Sequence, residues 1–140
     1  MSFSGKRVLV VEDEFLVALG LEDNLRSLGC IVIGPAQSLA SAMQMAAREQ
    51  VDAALLDVNL AGEAVYPAAA ILAERGIPFL FCSGYTGGAG RMPAAFTDVP
   101  RVAKPYTSKA IAEALGDLLA TDPAHDGPLS KNAADAPSGA

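Results

Sequence analysis

Positive charge is scarce in this chain, and so are cysteines and long apolar runs. Its 10 Lys and Arg face 16 Asp and Glu among 140 residues, a net charge of −6. Nucleic-acid backbones and anionic membrane surfaces both demand a basic footprint, so that balance argues against either as a partner. Cys30 and Cys82 are too few for a disulfide framework and too far apart for a C-x-x-C site. They read as two buried thiols of a cytoplasmic protein. The longest apolar runs are strand-length, far short of a membrane span. The opening MSFSGKRVLVVEDE has no long apolar stretch before its acids, so no signal peptide is expected. No repeat of solenoid period is present. What remains is a chain with 51% apolar and 19% charged residues, long enough for one domain with a real core.

Apolar strand-like runs alternate with helical periodicity. Strands are expected over 6–11, 30–34, 53–57, 77–82 and 101–103, from short β-branched or apolar runs ended by acids, Gly or Pro. A helix over 14–28 carries Val17, Leu21, Leu25 and Leu28 at helical spacing, with Gly29 as its stop. Ser38 is a candidate N-cap for a helix through Glu49, with Leu39, Ala42, Met43 and Ala46 on one side. A third helix over 64–74 must hold Pro67 in its first turn. The last, over 108–120, carries Ile111, Leu115, Leu118 and Leu119. Five β-α repeats predict a doubly wound parallel sheet of order 2-1-3-4-5, flavodoxin-like, covered on both faces. Between 84 and 100, Gly84, Gly87, Gly88, Gly90 and Pro93 leave little room for a stable fourth helix, so a mobile loop with one or two turns is expected. The stretch 121–140, rich in Ala, Pro, Asp, Gly and Ser, reads as a disordered tail outside a domain of residues 1–120.

Polar groups sit where four of these strands end: Glu12-Asp13 after RVLVV, Asp57 after AALL, Ser83 after FLFC and Lys104 after RVA. In a parallel sheet all of them fall on one edge, where such folds place their sites. Three clustered carboxylates repel unless a cation neutralises them, and Mg2+ suits hard oxygen ligands. Lys104 supplies a point charge for a phosphate oxygen and Ser83 a hydroxyl for another. Asp57 is the candidate nucleophile, able to form an aspartyl phosphate, because the other two acids come as a pair suited to holding metal. Taken singly, each group has an ordinary explanation: acids cap helices, Asp and Ser-Gly occupy turns, and a lysine before proline is a solvated side chain. The combination at four strand ends is what favours a site.

These residues resemble the receiver domain of two-component response regulators. VLVVEDE is similar to the first strand and acidic pair of that family, ALLDVNLAG to its phosphoacceptor strand and loop, and VAKPY to its fifth strand with the lysine–proline step. The resemblance covers roughly 6–120. It implies that a sensor histidine kinase or phosphotransfer protein phosphorylates Asp57. It implies that Asp13, Asp57 and the backbone carbonyl of Asn59 ligate Mg2+, assisted by Glu12. Lys104 would pair with the phosphoryl group, and Ser83 would move to hydrogen-bond it. PFLFCSGY with its Gly-rich sequel resembles the Phe-Ala-Thr-Gly-Tyr ("FAT GUY") subgroup, with Cys82 for the usual Ala and Ser83 for the usual Thr. Members of that subgroup are often stand-alone receivers linked to kinases of the HWE/HisKA2 type.

The chain departs from the typical receiver at Gly84, where a small non-glycine is usual, and at Arg101, where a switch aromatic is usual. Phosphorylation is therefore expected to order or shift the 84–100 loop, with Tyr85 as the aromatic participant. Asn59 and Tyr85 occupy places that influence acyl-phosphate lifetime in the family. The leading expectation is a single-domain phosphoacceptor, not an enzyme, that signals to a downstream protein target. One alternative is a Mg2+-dependent aspartyl-phosphate phosphatase, which would want a D-x-D motif after its first strand, whereas here Asp57 follows the third and is followed by Val58-Asn59. The other is a receiver-like binding module independent of phosphate. Gly84–Gly90 has neither the G-x-G-x-x-G spacing nor a Walker lysine, so it is no nucleotide loop.

Overall fold

The computed structural model describes residues 3–83, 92–104 and 106–120. Five parallel strands form one sheet: β1 (Arg7–Val11), β2 (Ile31–Ala36), β3 (Ala53–Asp57), β6 (Phe79–Ser83) and β7 (Arg101–Ala103). A small antiparallel ribbon, β4 (Asn59–Leu60) with β5 (Glu63–Ala64), lies between β3 and the next helix. The sheet order is β2-β1-β3-β6-β7, which is the expected 2-1-3-4-5 once the ribbon is set aside. Among the described residues, three helices connect strands, α1 (Phe15–Ser27), α2 (Leu39–Arg48) and α3 (Tyr66–Glu74), and α4 (Ser108–Ala120) follows β7.

Alternation along the central strands feeds two cores. Leu9, Val11, Ala54, Leu56, Phe79 and Phe81 pack toward Ala42 and Ala46 of α2 and Ala68, Ala69 and Leu72 of α3. Val8, Val10, Ala53, Leu55, Leu80 and Cys82 pack toward Leu21 and Leu25 of α1 and Ile111, Leu115 and Leu118 of α4. A strand buried on both faces has no room for polar alternation, which is why β1 and β3 read as continuous apolar runs. A fully buried leucine such as Leu55 or Leu56 stabilises by about 2 kcal/mol relative to exposure. The helix ends follow sequence logic: the Ser38 hydroxyl accepts from the Ser41 N–H at 3.1 Å, and Pro67 sits in the first turn of α3.

The expected end of the second strand at Gly34 is not where β2 stops. β2 continues through Pro35 to Ala36. It is an edge strand, where a missing N–H is tolerated. The register accommodates an extra residue there, since Leu9 pairs with Ile33 but Val11 with Ala36. Gly34 turns the chain at φ 97, where a Cβ would lie 2.8 Å from the Ala36 nitrogen and 2.9 Å from the Val10 carbonyl oxygen. The extension matters for the site, because the Ala36 carbonyl accepts the Glu12 N–H at 2.9 Å.

Of the expected 84–100 loop, 92–100 is described, and it holds one 3-10 turn, Ala94–Phe96. The readings placed on 84–91, on Tyr85 and on 121–140 lie outside the described residues. Phe96 is buried and meets Tyr66, Phe79 and Phe81 at centroid separations of 5.9 Å each, which fastens the turn to the β6 face of the core.

Candidate functional site

The C-terminal edge of the sheet gathers every expected group from a different strand end. Glu12 and Asp13 follow β1, Asp57 is the last residue of β3, Ser83 the last of β6, and Lys104 follows β7. Glu12, Asp13 and Asp57 each offer a carboxylate oxygen within 4.8 Å of the others. Lys104 Nζ bridges two of these acids, 2.9 Å from Glu12 Oε1 and 3.1 Å from Asp57 Oδ2. It also stands 3.8 Å from Glu14 Oε1, an exposed acid that the motif alone did not single out.

Backbone amides orient the carboxylates. Glu12 Oε2 accepts from the Glu14 N–H at 3.1 Å, and Asp57 Oδ1 from the Asn59 N–H at 3.3 Å. Asp13 Oδ2 accepts from the Ala61 N–H at 3.0 Å. Ala61 and Gly62 form the tight turn of the β4–β5 ribbon, at φ 51 and 93, and Gly62 N–H donates to Asn59 Oδ1 at 2.8 Å. Positive φ at both turn residues is the type I′ pattern, usually written Asn-Gly or Asp-Gly. The Ala-Gly at this place hid the ribbon from sequence reading. Ser83 is joined to the site through its backbone: its carbonyl accepts the Lys104 N–H at 2.8 Å, locking the ends of β6 and β7 together.

Burial dominates the electrostatics. Glu12 has no exposed surface, and Asp57 is 6% exposed. Burial pushes the Glu12 carboxyl up to about 7; Lys104 pulls it down, and Asp57 beside it pushes it further up. Burial also raises Asp57, against the pull of Glu12 hydrogen bonding and the Lys104 charge. For Lys104 burial works downward, but Glu12 and Asp57 outweigh it, so the ammonium is held above its ordinary range. An ammonium wedged between two buried acids answers part of their mutual repulsion and leaves a demand for more positive charge. Hard oxygen donors in this number suit a divalent cation such as Mg2+, so the residues present fit that ion.

An apolar cavity of about 520 Å3 lies away from these groups, against the N-terminal end of β6, with Ile77, Phe79, Phe96, Val99 and Leu118 in its lining. It holds none of the strand-end groups.

The model of the response regulator receiver domain matches residues 8–115. The chain belongs to that family. The receiver aligns over 85% of its length with 99% of the solution structure of SdrG from Sphingomonas melonis Fr1, at 40% identity and a TM-score of 0.71. The beryllofluoride-activated conformation of SdrG, from Pseudomonas melonis Fr1, matches at 38% identity and a TM-score of 0.67, over 84% of this chain and 98% of that one. The receiver domain of PhyR from Erythrobacter litoralis matches at 27% identity and a TM-score of 0.71, over 91% and 98% of the two chains. No curated protein matches this receiver. Receiver domains are signalling modules, and the cluster of Glu12, Asp13 and Asp57 fits the place of a receiver's phosphoacceptor site.

Proposed function

We propose that this receiver accepts a phosphoryl group on Asp57 in a Mg2+-dependent reaction and signals by protein contact. The observation that carries the reading is the Lys104 ammonium at 3.1 Å from Asp57 and 2.9 Å from Glu12, beside a third carboxylate at Asp13. Asp57 is the nucleophile: its carboxylate oxygen forms the new O–P bond while the donor's P–N bond breaks and the imidazole leaves with a proton. Glu12, Asp13, Asp57 and the backbone carbonyl of Asn59 would hold Mg2+, which when bound would supply charge neutralisation for the transferring oxygens. Lys104 takes a phosphoryl oxygen, and the Ser83 hydroxyl reaches another.

The donor in this reading is a sensor histidine kinase or phosphotransfer protein, with the HWE/HisKA2 type as first candidate because of the PFLFCSGY sequence. That same stretch is the basis for placing the chain in the Phe-Ala-Thr-Gly-Tyr subgroup. Residues 1–120 are assigned to the receiver unit, which acts in the cytoplasm on a downstream protein; no helix among the described residues is long and apolar enough to cross a membrane. Neither nucleic acid nor membrane is a partner in this reading, in keeping with a net charge of −6.

Acetyl phosphate with and without Mg2+, read by intact mass, tests the proposal. One phosphoryl adduct on the wild type, dependent on Mg2+ and lost in Asp57→Asn, is the expected result. An adduct that persists in Asp57→Asn would move the acceptor to another residue. No adduct with acetyl phosphate or with a phosphorylated kinase would leave a phosphate-independent module.

A further inference from the structure

A hydroxyl is buried next to the site with nothing among the described residues aligned to receive it. The Tyr106 oxygen is shielded from solvent, and among the described residues none makes an aligned hydrogen bond to it. Such a group is costly in a folded protein and calls for a reason. Tyr106 packs against the core face that contains Cys82. Cys82 is 1% exposed and sits at the centre of the site's framework: its strand partners are Asp57 on β3 and Val102 on β7, and the next residue is Ser83.

The two side chains lie within hydrogen-bonding reach of each other, yet the hydroxyl is not aligned on the sulfur as a formed bond. Burial first, and then the adjacent Cys82 thiol, raise the ionisation of Tyr106 beyond that of an ordinary tyrosine. Burial likewise pushes the Cys82 thiol up to about 12, so both groups stay protonated and neutral. A neutral O–H and a neutral thiol side by side can make a hydrogen bond after a small change in alignment. Position 82 carries Ala in the subgroup this chain resembles, so the thiol beside Tyr106 is a feature of this sequence. Arg101, where a buried switch aromatic is usual, is exposed and directs its guanidinium to Met92 Sδ at 2.8 Å. It cannot serve as a buried aromatic reporter.

We propose that Tyr106 is a positioning residue for the phosphoryl contact at Ser83, its hydroxyl closing onto the Cys82 thiol as the end of β6 moves toward a phosphoryl group on Asp57. This rests on the phosphoacceptor reading above. A bond absent in one state and present in the other favours the second state, and a ligand that selects the second state then binds more tightly. The orphaned hydroxyl is what the resting arrangement gives up, and the pair is what the activated arrangement gains.

Beryllofluoride, a stable mimic of an aspartyl phosphate, is the probe, titrated with Mg2+ into wild type, Tyr106→Phe, Cys82→Ala, Cys82→Ser and the Tyr106→Phe/Cys82→Ala double variant. Tyr106→Phe and Cys82→Ala are each expected to weaken its affinity about 5-fold, the worth of one ordinary hydrogen bond. The double variant is expected to be no weaker than either single one, and Cys82→Ser to bind at least as tightly as wild type. Tyr106→Phe should also raise the urea midpoint of the unliganded protein by removing the orphaned hydroxyl. Wild-type affinity in Tyr106→Phe, or additive losses in the double variant, would overturn the positioning role. Failure of the wild type itself to bind beryllofluoride with Mg2+ would instead overturn the phosphoacceptor reading.

Discussion

Asp13 and Ala61 are tied across the site: the Ala61 N–H donates to Asp13 Oδ2 at 3.0 Å. The acid after β1 is thus oriented by the turn of the ribbon that follows Asp57, and the geometry of that turn becomes part of the site. Gly62 holds the turn at φ 93, with open space where a Cβ would stand. Gly62→Ala therefore meets no clash and suffers only the backbone penalty, about 1 kcal/mol in urea unfolding. Relaxation of the turn to escape that penalty would withdraw the Ala61 N–H from Asp13. A weaker Mg2+ affinity is expected alongside the lower urea midpoint, and calorimetric titration of Mg2+ checks it.

Lys104 is the counter-charge for two acids that burial has deprived of water. Its side chain is 16% exposed, while those of Glu12 and Asp57 are 0% and 7% exposed. Lys104→Met keeps the aliphatic stem and removes the charge, leaving the acids to repel. A loss of about 2 kcal/mol is expected without Mg2+, below the full cost of stranding a deeply buried ion because the lysine reaches solvent. Added Mg2+ should recover more stability in the variant than in the wild type. Phosphorylation by acetyl phosphate should slow in the same variant, read by intact mass over time.

The raised Glu12 carboxyl makes metal-free stability depend on pH. Its folded value of about 7 stands above the unfolded 4.5, so the folded state holds this proton more tightly. The stability it contributes is fully present below the unfolded value and is lost as pH rises through the folded one. Metal-free protein should therefore weaken from this group as pH climbs from 4.5 to about 7. Glu12→Gln should flatten that slope, measured by urea midpoints across the window. Mg2+ affinity should rise over the same window in the wild type, because the proton must leave before the carboxylate can serve a cation.

The sheet and the site were legible for a common reason. Strands buried on both faces must be apolar throughout, so the runs ending at Val11, Asp57 and Ser83 announce themselves, and their polar endings mark the edge where chemistry collects. Pro35 misled because a proline ordinarily stops a strand, and sequence does not say that β2 lies at an edge with a bulge to accommodate it. The β4–β5 ribbon stayed hidden because Ala61 adopts a φ of 51 without the Asn or Asp that usually signals it. Glu14 and Tyr106 stand inside the quoted motifs, but that one faces Lys104 from across the site and the other packs on the core face of Cys82 depends on tertiary contacts between strand ends, which the motifs do not spell out.

Phe96 is the point at which the 92–100 segment joins the core. It lies within 5.9 Å, centroid to centroid, of Tyr66 on α3 and of Phe79 and Phe81 on β6, and is 8% exposed. Phe81 in turn is two residues before Ser83 on the same strand, so the ring cluster abuts the strand that ends in the site. Removing the ring leaves a cavity that the remaining aromatics cannot close, since each is held by its own backbone. Phe96→Ala should destabilise the domain by about 3 kcal/mol, within the usual range for a buried phenylalanine. The ring of Phe96 meets Tyr66, Phe79 and Phe81 and none of the carboxylates, so Mg2+ affinity should stay within about 2-fold of wild type, as sites without shared partners act independently. Amide exchange across 92–100 should rise in the variant while exchange in β1 and β3 follows only the global loss. Phe96→Leu, which refills much of the space, should return most of the stability. A collapse of Mg2+ binding in Phe96→Leu would show that the aromatic cluster holds the site itself.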